Sequence, residues 1–490
     1  MRRHGSGVLP ALLALGVFAV SSVWALTIAP LAGPDERAHL VRAASVVRGE
    51  VVGERVTIDG SQAWTRVTVP QWVTSAGACA SADPEHKPSC GETLAGTSRS
   101  VEAETYVGRY PPLYYALTGL PTLLLDGTAA LYAARLMSAL LVALIAWATC
   151  RALALGTDRT SRGLTWGLAA AFTPLAASIM GVVNPSSCEI AATTYLAVAL
   201  CVGATLRSPS QRAQKALSHH QLAALSLTAL SRGLGLLWVV LLVGATLIRA
   251  GRHALWPHAS GRAKALATAA VAAAAGWLAF VGGYQTITVD PPLGWTSTET
   301  LTHFAPILRR VAEEAVHKYQ WLEVRLPIAA VWWWLVVAAL VALVGLRGGN
   351  RRERLATLAL LLASAALPVA ALASRSESDG FFWQGRYSLP LMGATLLFAS
   401  SSAARAPHAL AGKTRVVLVA SLAAIHLAAL HAVLARNATG SWWERSPWGP
   451  PVAPVFLVAA AAAGLFLVWF ALRSAGSTTM TGGRPPLPPR

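Results

Sequence analysis

The chain is divided into apolar blocks near 20 residues long, separated by connectors rich in Lys and Arg. A helix of about 20 residues spans the hydrocarbon core of a bilayer. Repeated blocks of this kind exclude most soluble architectures, whose buried helices are shorter and alternate with polar faces. Composition agrees. Hydrophobic residues make up 54% of the chain and charged residues 13%, whereas about a quarter of a soluble domain is charged. The expectation is an all-α polytopic membrane protein.

The net charge of +18 would suit a nucleic-acid binder, but its distribution does not. The connectors 151–162, 207–220, 249–264, 347–354 and 404–415, with both termini, hold 22 of the 40 Lys and Arg and only two acids, Asp158 and Glu353. The remaining segments hold 18 basic residues and 20 acids. This is the bias of a membrane protein with its basic connectors in the cytoplasm. It places the chain in the inner (plasma) membrane with both termini cytoplasmic, among membrane lipids and with no nucleic-acid partner. Val8–Ala29 reads as an uncleaved first helix. It is long for the apolar core of a signal peptide, and Ile28-Ala29-Pro30 is a poor cleavage site.

The expected organisation follows. Residues 1–30 are the N-terminus and first crossing, and 31–128 a large first extracytoplasmic loop. Within that loop, a surface helix runs from Asp35 to about Arg48 and strand-like composition covers Val51–Ile58. Residues 74–100 are irregular, and 113–125 are apolar but too short to span, so they lie at the interface. Region 129–283 carries crossings at 129–150, 163–183, 188–206 and 263–283. It also holds a hairpin at 221–248 broken at Ser231-Arg232-Gly233, because a single crossing cannot join two cytoplasmic connectors. A second external loop, 284–326, precedes a region, 327–472, with crossings at 328–346, 355–373, 387–403, 415–434 and 453–472. Residues 473–490 form a disordered cytoplasmic tail. The total is about 12 crossings.

Five cysteines are too few for a disulfide framework, but Cys79 and Cys90 share the first external loop and are candidates for one disulfide.

The polar residues that stand out gather at external junctions. Gly33-Pro34-Asp35-Glu36-Arg37-Ala38-His39 follows the first crossing. Asp35, His39 and Arg42 have i, i+4, i+7 spacing and would share one helix face. Two readings compete: Pro, Asp and Glu in a first turn also make an ordinary helix start. Arg109, Tyr110, Asn184, Glu189, Arg232, Gln384, Arg386 and Tyr387 map to the same side. Such convergence points to an outward-facing site, although terminal charges also serve as snorkelling anchors. There is no phosphate-binding GxxxxGK[ST] loop, no Cys/His zinc spacing and no GxSxG elbow. A carboxylate pair can act as general base or hold a divalent cation, and arginines can grip a phosphate bidentately. A lipid-linked phosphosugar requires both functions.

The chain resembles a bacterial family of predicted membrane proteins within the GT-C glycosyltransferase superfamily, and its Ala-rich composition suggests an actinobacterial source. The resemblance rests on Pro34-Asp35-Glu36-x-Ala38-His39, Tyr110-Pro111-Pro112-Leu113-Tyr114-Tyr115, Asn184-Pro185-Ser186 with Glu189, and Gln384-Gly385-Arg386-Tyr387 ahead of Pro390. It implies a GT-C-like bundle, a polyprenyl-phosphate-linked sugar as donor and an envelope glycan or lipid as acceptor. It also implies Asp35 as general base, with Glu36 second and His39 orienting it. Arg109, Arg232 and Arg386 would stabilise the leaving phosphate. Arg42, Tyr110, Asn184, Glu189, Gln384 and Tyr387 complete the expected substrate site. The one cofactor candidate is a divalent cation, Mg or Mn, held by Asp35 and Glu36. A large soluble external domain, common in GT-C enzymes, is not evident. The competing classes are a transporter or flippase of lipid-linked glycans and a noncatalytic envelope-assembly protein.

Overall fold

A computed structural model of the chain describes residues 7–58, 61–74, 94, 97–206, 210–282, 293–320, 324–375, 377, 380–403, 413–437 and 449–475. Helix α1 (Val8–Thr27) is followed by the surface helix α2 (Glu36–Val46). Strands β1 (Glu54–Ile58) and β2 (Ser61–Pro70), the turn of helix α3 (Gln71–Thr74) and strand β3 (Ser100–Thr105) come next. Helix α4 (Leu113–Thr118) runs into a 3-10 turn at Leu120–Leu123. Helices α5 (Gly127–Leu153), α6 (Asp158–Ala171), α7 (Pro174–Met180), α8 (Ser186–Thr205), α9 (Gln211–Ser231), α10 (Gly235–Ala250) and α11 (Gly261–Val281) follow. Two short helices, α12 (Ser297–Thr302) and α13 (Phe304–Glu314), precede α14 (Ile328–Gly348), α15 (Arg351–Ala373), α16 (Gly385–Ala403), α17 (Lys413–Asn437) and α18 (Pro454–Ala475).

Eight described helices are long and apolar enough to cross a membrane: α1, α5, α8, α11, α14, α15, α17 and α18. Helices α6 and α7 qualify only as a pair bent by 77°, which gives up to nine crossings on length and composition. The architecture is therefore helical and multi-pass. The bend falls at Phe172-Thr173, where Thr173 caps α7 by accepting from the Ala176 amide and Pro174 opens the helix. Carbonyls freed at the break do not go unmet. His426 of α17 bonds Phe172 O at 2.8 Å, and the Trp334 indole of α14 donates to Ala170 O at 2.9 Å. Close helix contact uses small residues elsewhere: a Cβ on Gly16 of α1 would meet Gly464 O of α18 at 2.8 Å.

The first polar region is not wholly helical. β1, β2 and β3 form an antiparallel sheet in that order. Thr65, Val67 and Val69 of β2 point inward, while Arg66 and Thr68 point outward, the alternation of a half-buried strand. Together with Trp72, these inward residues pack on α2 and on Tyr114 and Tyr115 of α4. β1 falls within the stretch expected to be a strand, and β2 carries a similar local signal in Trp64-Thr65-Arg66-Val67-Thr68-Val69. The sheet marks one side of the membrane domain, called here the sheet side. On the opposite side, Arg249 of α10, buried with Glu353 of α15 at 3.3 Å, also bonds Ser401 and Ser402 of α16.

Segment 113–125 does not span, and its exposed Leu113, Leu117, Leu120, Leu123 and Leu124 face outward. The second polar loop contains α12 and α13. α18 extends to Ala475, so the expected tail is helical over its first residues, and 476–490 lie outside the described residues. Cys79 and Cys90 also lie outside them, while Cys150, Cys188 and Cys201 are free thiols.

Candidate functional site

The site is built where α2 begins. Asp35 is the residue before α2 and takes the left-handed conformation, φ 56°, which Asp tolerates better than most side chains. Its carbonyl accepts the His39 amide at 3.0 Å and starts the helix. Asp35 thus stands outside α2 and does not share a regular helix face with His39 and Arg42, as the spacing suggested. Strain at a partly exposed carboxylate is a common mark of a functional position.

Both Asp35 oxygens are engaged. The Tyr106 hydroxyl donates to Oδ1 at 2.7 Å, and Arg386 of α16 donates through Nη2 to Oδ2. The Asp35 side chain keeps 20% exposure, against 5% for Arg386. Burial alone would raise the Asp35 pKa, but the charge of Arg386 and the Tyr106 hydrogen bond outweigh it and hold the carboxyl below its ordinary range. The same contact, with burial, drives the Tyr106 phenol upward.

His39 lies one turn along α2, its Nδ1 2.8 Å from the Tyr115 hydroxyl. Burial, opposed by Asp35 but reinforced by Arg232 and Arg386, lowers its pKa to about 3, so the ring is neutral at pH 7.

Arg232 occupies the non-helical break between α9 and α10. Its guanidinium stacks 4.5 Å from the Tyr387 ring centre and 5.4 Å from that of Tyr110. It reaches Ser186 Oγ at 3.1 Å and Glu189 Oε2 at 3.5 Å. The other Glu189 oxygen accepts from the Trp238 indole at 2.8 Å. Glu189 is therefore a buried counter-charge that seats Arg232, rather than a direct substrate ligand.

A cavity of about 260 Å³ opens beside this group, lined in part by Tyr110, Arg232, Arg375, Phe382, Trp383 and Tyr387. Tyr387 links it to the carboxylate, because its hydroxyl accepts from Arg386 Nη2 at 3.1 Å. Arg386 Nε and Nη1 are fully enclosed and have no hydrogen-bond partner among the described residues. The start of α16 is held by Glu314, which accepts the Gly385 amide at 3.1 Å. A Cβ on Gly385 would overlap Glu314, so only glycine permits this approach.

Several expected site residues serve structure instead. Glu36 is fully buried and accepts from Arg135 at 2.7 Å and 2.6 Å, and from the Val183 amide at 3.1 Å. Its carboxylate has no path to a substrate, which corrects the reading of Glu36 as a second base. Asp35 and Glu36 are committed to different arginines and do not form a metal pair. Among the described residues no group of three or more His, Cys, Asp or Glu could hold a metal ion. The expected Mg or Mn site built on both carboxylates is therefore not formed.

Arg42 is buried and donates to Val51 O and Tyr110 O, clamping the polar region rather than facing a ligand; burial lowers its pKa to about 10. Arg109 is buried near Gly282 at the end of α11, and its carbonyl accepts from Trp277 at 2.8 Å. Asn184 donates to Pro34 O at 2.9 Å and accepts the Ser186 amide at 3.0 Å, fixing the turn before α8 against the Asp35 segment. Gln384 is half-buried, and its carbonyl accepts the Tyr387 amide at 3.0 Å.

Sequence reasoning missed Arg135, Tyr106 and Glu314. Arg135 carried a signal: an arginine within the apolar run of α5 needs a buried partner. Tyr106 carried none, since nothing local ties it to Asp35, 71 positions earlier.

The apolar helices and the sheet-side cluster of charge define a polytopic membrane protein with an ionisable site at one membrane boundary. The chain belongs to the predicted membrane protein family DUF2142, whose model matches residues 18–395 and so covers every site residue from Asp35 to Tyr387. No curated protein and no solved structure matches it.

Proposed function

We propose that the protein is a membrane glycosyltransferase of the GT-C type, moving a sugar from a polyprenyl-phosphate donor to an envelope glycan or lipid acceptor. The observation that carries this reading is the partly exposed Asp35 carboxylate, linked through Arg386 and Tyr387 to a cavity lined by Arg232. On this reading the sheet side is extracytoplasmic. Counting α9, α10, α16 and the bent α6–α7 pair as crossings brings the total to 12, both termini then being cytoplasmic.

The reaction is a direct displacement. Asp35 takes the acceptor hydroxyl proton as the new bond forms at the anomeric carbon. The bond to the phosphate oxygen breaks, and polyprenyl phosphate leaves with the electron pair. Arg232 lies at the cavity wall, where its charge stabilises the departing phosphate. Neutral His39 packs behind Asp35 and keeps Tyr115 in place. The lipid tail remains in the bilayer. Incubation of purified Asp35→Asn protein with polyprenyl-phosphate sugar and acceptor tests the reading. Transfer at the wild-type rate by a folded variant removes Asp35 as base.

The helix breaks at Arg232 and at Phe172-Thr173 favour a second reading, a flippase of lipid-linked glycans, since transporters use interrupted helices. Reconstituted vesicles separate the two: product without net lipid movement supports the transferase, and movement without product the flippase.

A further inference from the structure

We propose that Arg386 is a latch on Asp35, opened by the anionic group of the substrate. A phosphate entering the Tyr110–Arg232–Tyr387 cavity draws the guanidinium away from the carboxylate and leaves Asp35 free to act as base. The inference rests on the transferase reading and names how that same site is switched.

The geometry has three parts. First, the base is occupied at rest: Tyr106 holds one Asp35 oxygen and Arg386 the other. A carboxylate held between two donors is a weak proton acceptor. Second, the Arg386 arrangement is incomplete. Of its nitrogens only Nη2 is bonded, to Asp35 and Tyr387, while Nε and Nη1 are enclosed without partners among the described residues. Guanidinium donors are seldom left this way when buried, and Nε and Nη1 each share an edge with Nη2, so a phosphate that replaced Asp35 at Nη2 would gain a bidentate pair with one of them. Third, Arg386 does not line the cavity, although its bonding partner Tyr387 does. The free donors have no exposed surface, so an anion meets them only after the side chain moves. Arg232 and Arg386 both pack against the Tyr387 ring, at 4.5 Å and 5.0 Å from its centre. A phosphate at the cavity wall would therefore be shared by two arginines that contact the same tyrosine.

The latch gives the site an order of events. Without donor, the carboxylate is neutralised and cannot activate a water molecule or a stray hydroxyl. With donor bound, the counter-charge has moved to the leaving group and the base is exposed.

The test is a double-mutant cycle on binding, not on transfer. A short-chain polyprenyl phosphate is titrated into the purified full chain in detergent, as wild type, D35N, R386Q and the double variant. If Asp35 competes with the phosphate for Arg386, D35N binds about tenfold or more tightly than wild type, and the gain vanishes in the R386Q background. A gain of equal size without Arg386 overturns the latch, because Asp35 then acts by charge repulsion alone. Unchanged affinity in D35N overturns it as well. Should D35N not fold, isotope-edited infrared difference spectra of the wild type decide. Ligand addition shifts an aspartate carboxylate stretch if the ion pair opens, and an unshifted band overturns the proposal. The two ideas fail separately. No binding to wild type removes the donor reading and the latch together, whereas binding without coupling removes only the latch.

Discussion

Asp35 and Glu36 are adjacent acids, each paired with an arginine remote in sequence, yet the two pairs are built differently. Glu36 and Arg135 are both fully buried. The carboxylate takes two bonds from the guanidinium and one from the Val183 amide, while Arg135 also donates to Ala25 O, Ile28 O and Ala29 O. This pair closes the end of α1 onto α5 and the start of α2. Asp35 keeps 20% exposure, and Arg386 keeps two buried donors without partners among the described residues. A fully satisfied pair resists change because any rearrangement loses bonds. An incomplete one beside a cavity can gain bonds by moving. The contrast separates a fully satisfied pair from an incomplete one more sharply than residue type can.

Experiments can break this contrast, beginning with the largest effect. Asp35→Asn should lower transfer by about 10²–10⁴-fold, the usual range for losing a general base, with the fold retained. Glu36→Gln should instead act on stability. It leaves a buried guanidinium without its counter-charge, which costs roughly 3–5 kcal/mol and shows as a large drop in thermal midpoint in detergent. If Asp35→Asn proved the more destabilising of the two, the distinction between the pairs would collapse.

Glu189→Gln should loosen Arg232 without touching the base. The expected result is about a tenfold or greater fall in kcat/KM for the donor, carried largely by kcat because Arg232 acts on the departing phosphate, as a charged hydrogen bond is worth about 1.5–3 kcal/mol.

The next effect depends on pH. The His39 pKa is lowered in the folded protein to about 3 from 6.5. Between those values the unfolded chain binds a proton that the folded chain does not, so stability falls as pH drops from 6.5 toward 3. Each pH unit is worth about 1.4 kcal/mol at most. His39→Asn should flatten that part of a stability profile, and an unchanged slope would show that His39 is protonated in the fold. The smallest effect belongs to the exposed Arg66–Glu104 pair of the sheet, at 3.1 Å. Arg66→Ala should leave the thermal midpoint unchanged, since water already screens such pairs.

The membrane class was legible because apolar blocks near 20 residues long have few other uses. That 113–125 is too short to span followed from length alone, and the helix break at Arg232 from charge in the flanking connectors. The composition of 51–58 pointed to β1, and Trp64, Thr65, Val67, Thr68 and Val69 give β2 a similar local signal, whereas β3 owes its place largely to pairing with β2, a non-local property. The motif residues Asp35, Tyr110, Arg232, Arg386 and Tyr387 do converge. Arg42 and Asn184 share their chemistry, yet hold backbone.

By itself, the sequence determined a multi-pass helical protein with its ionisable residues gathered at helix junctions, because hydropathy and charge are summed along the chain. Which of two neighbouring acids stays partly exposed and which is sealed in the bundle was decided only by the tertiary structure. One left-handed residue at the start of α2 turns Asp35 toward Tyr106 and Arg386, while the next position turns Glu36 inward to Arg135. No local pattern encodes that choice. It depends on arginines 99 and 351 positions away that only the packed bundle brings into reach.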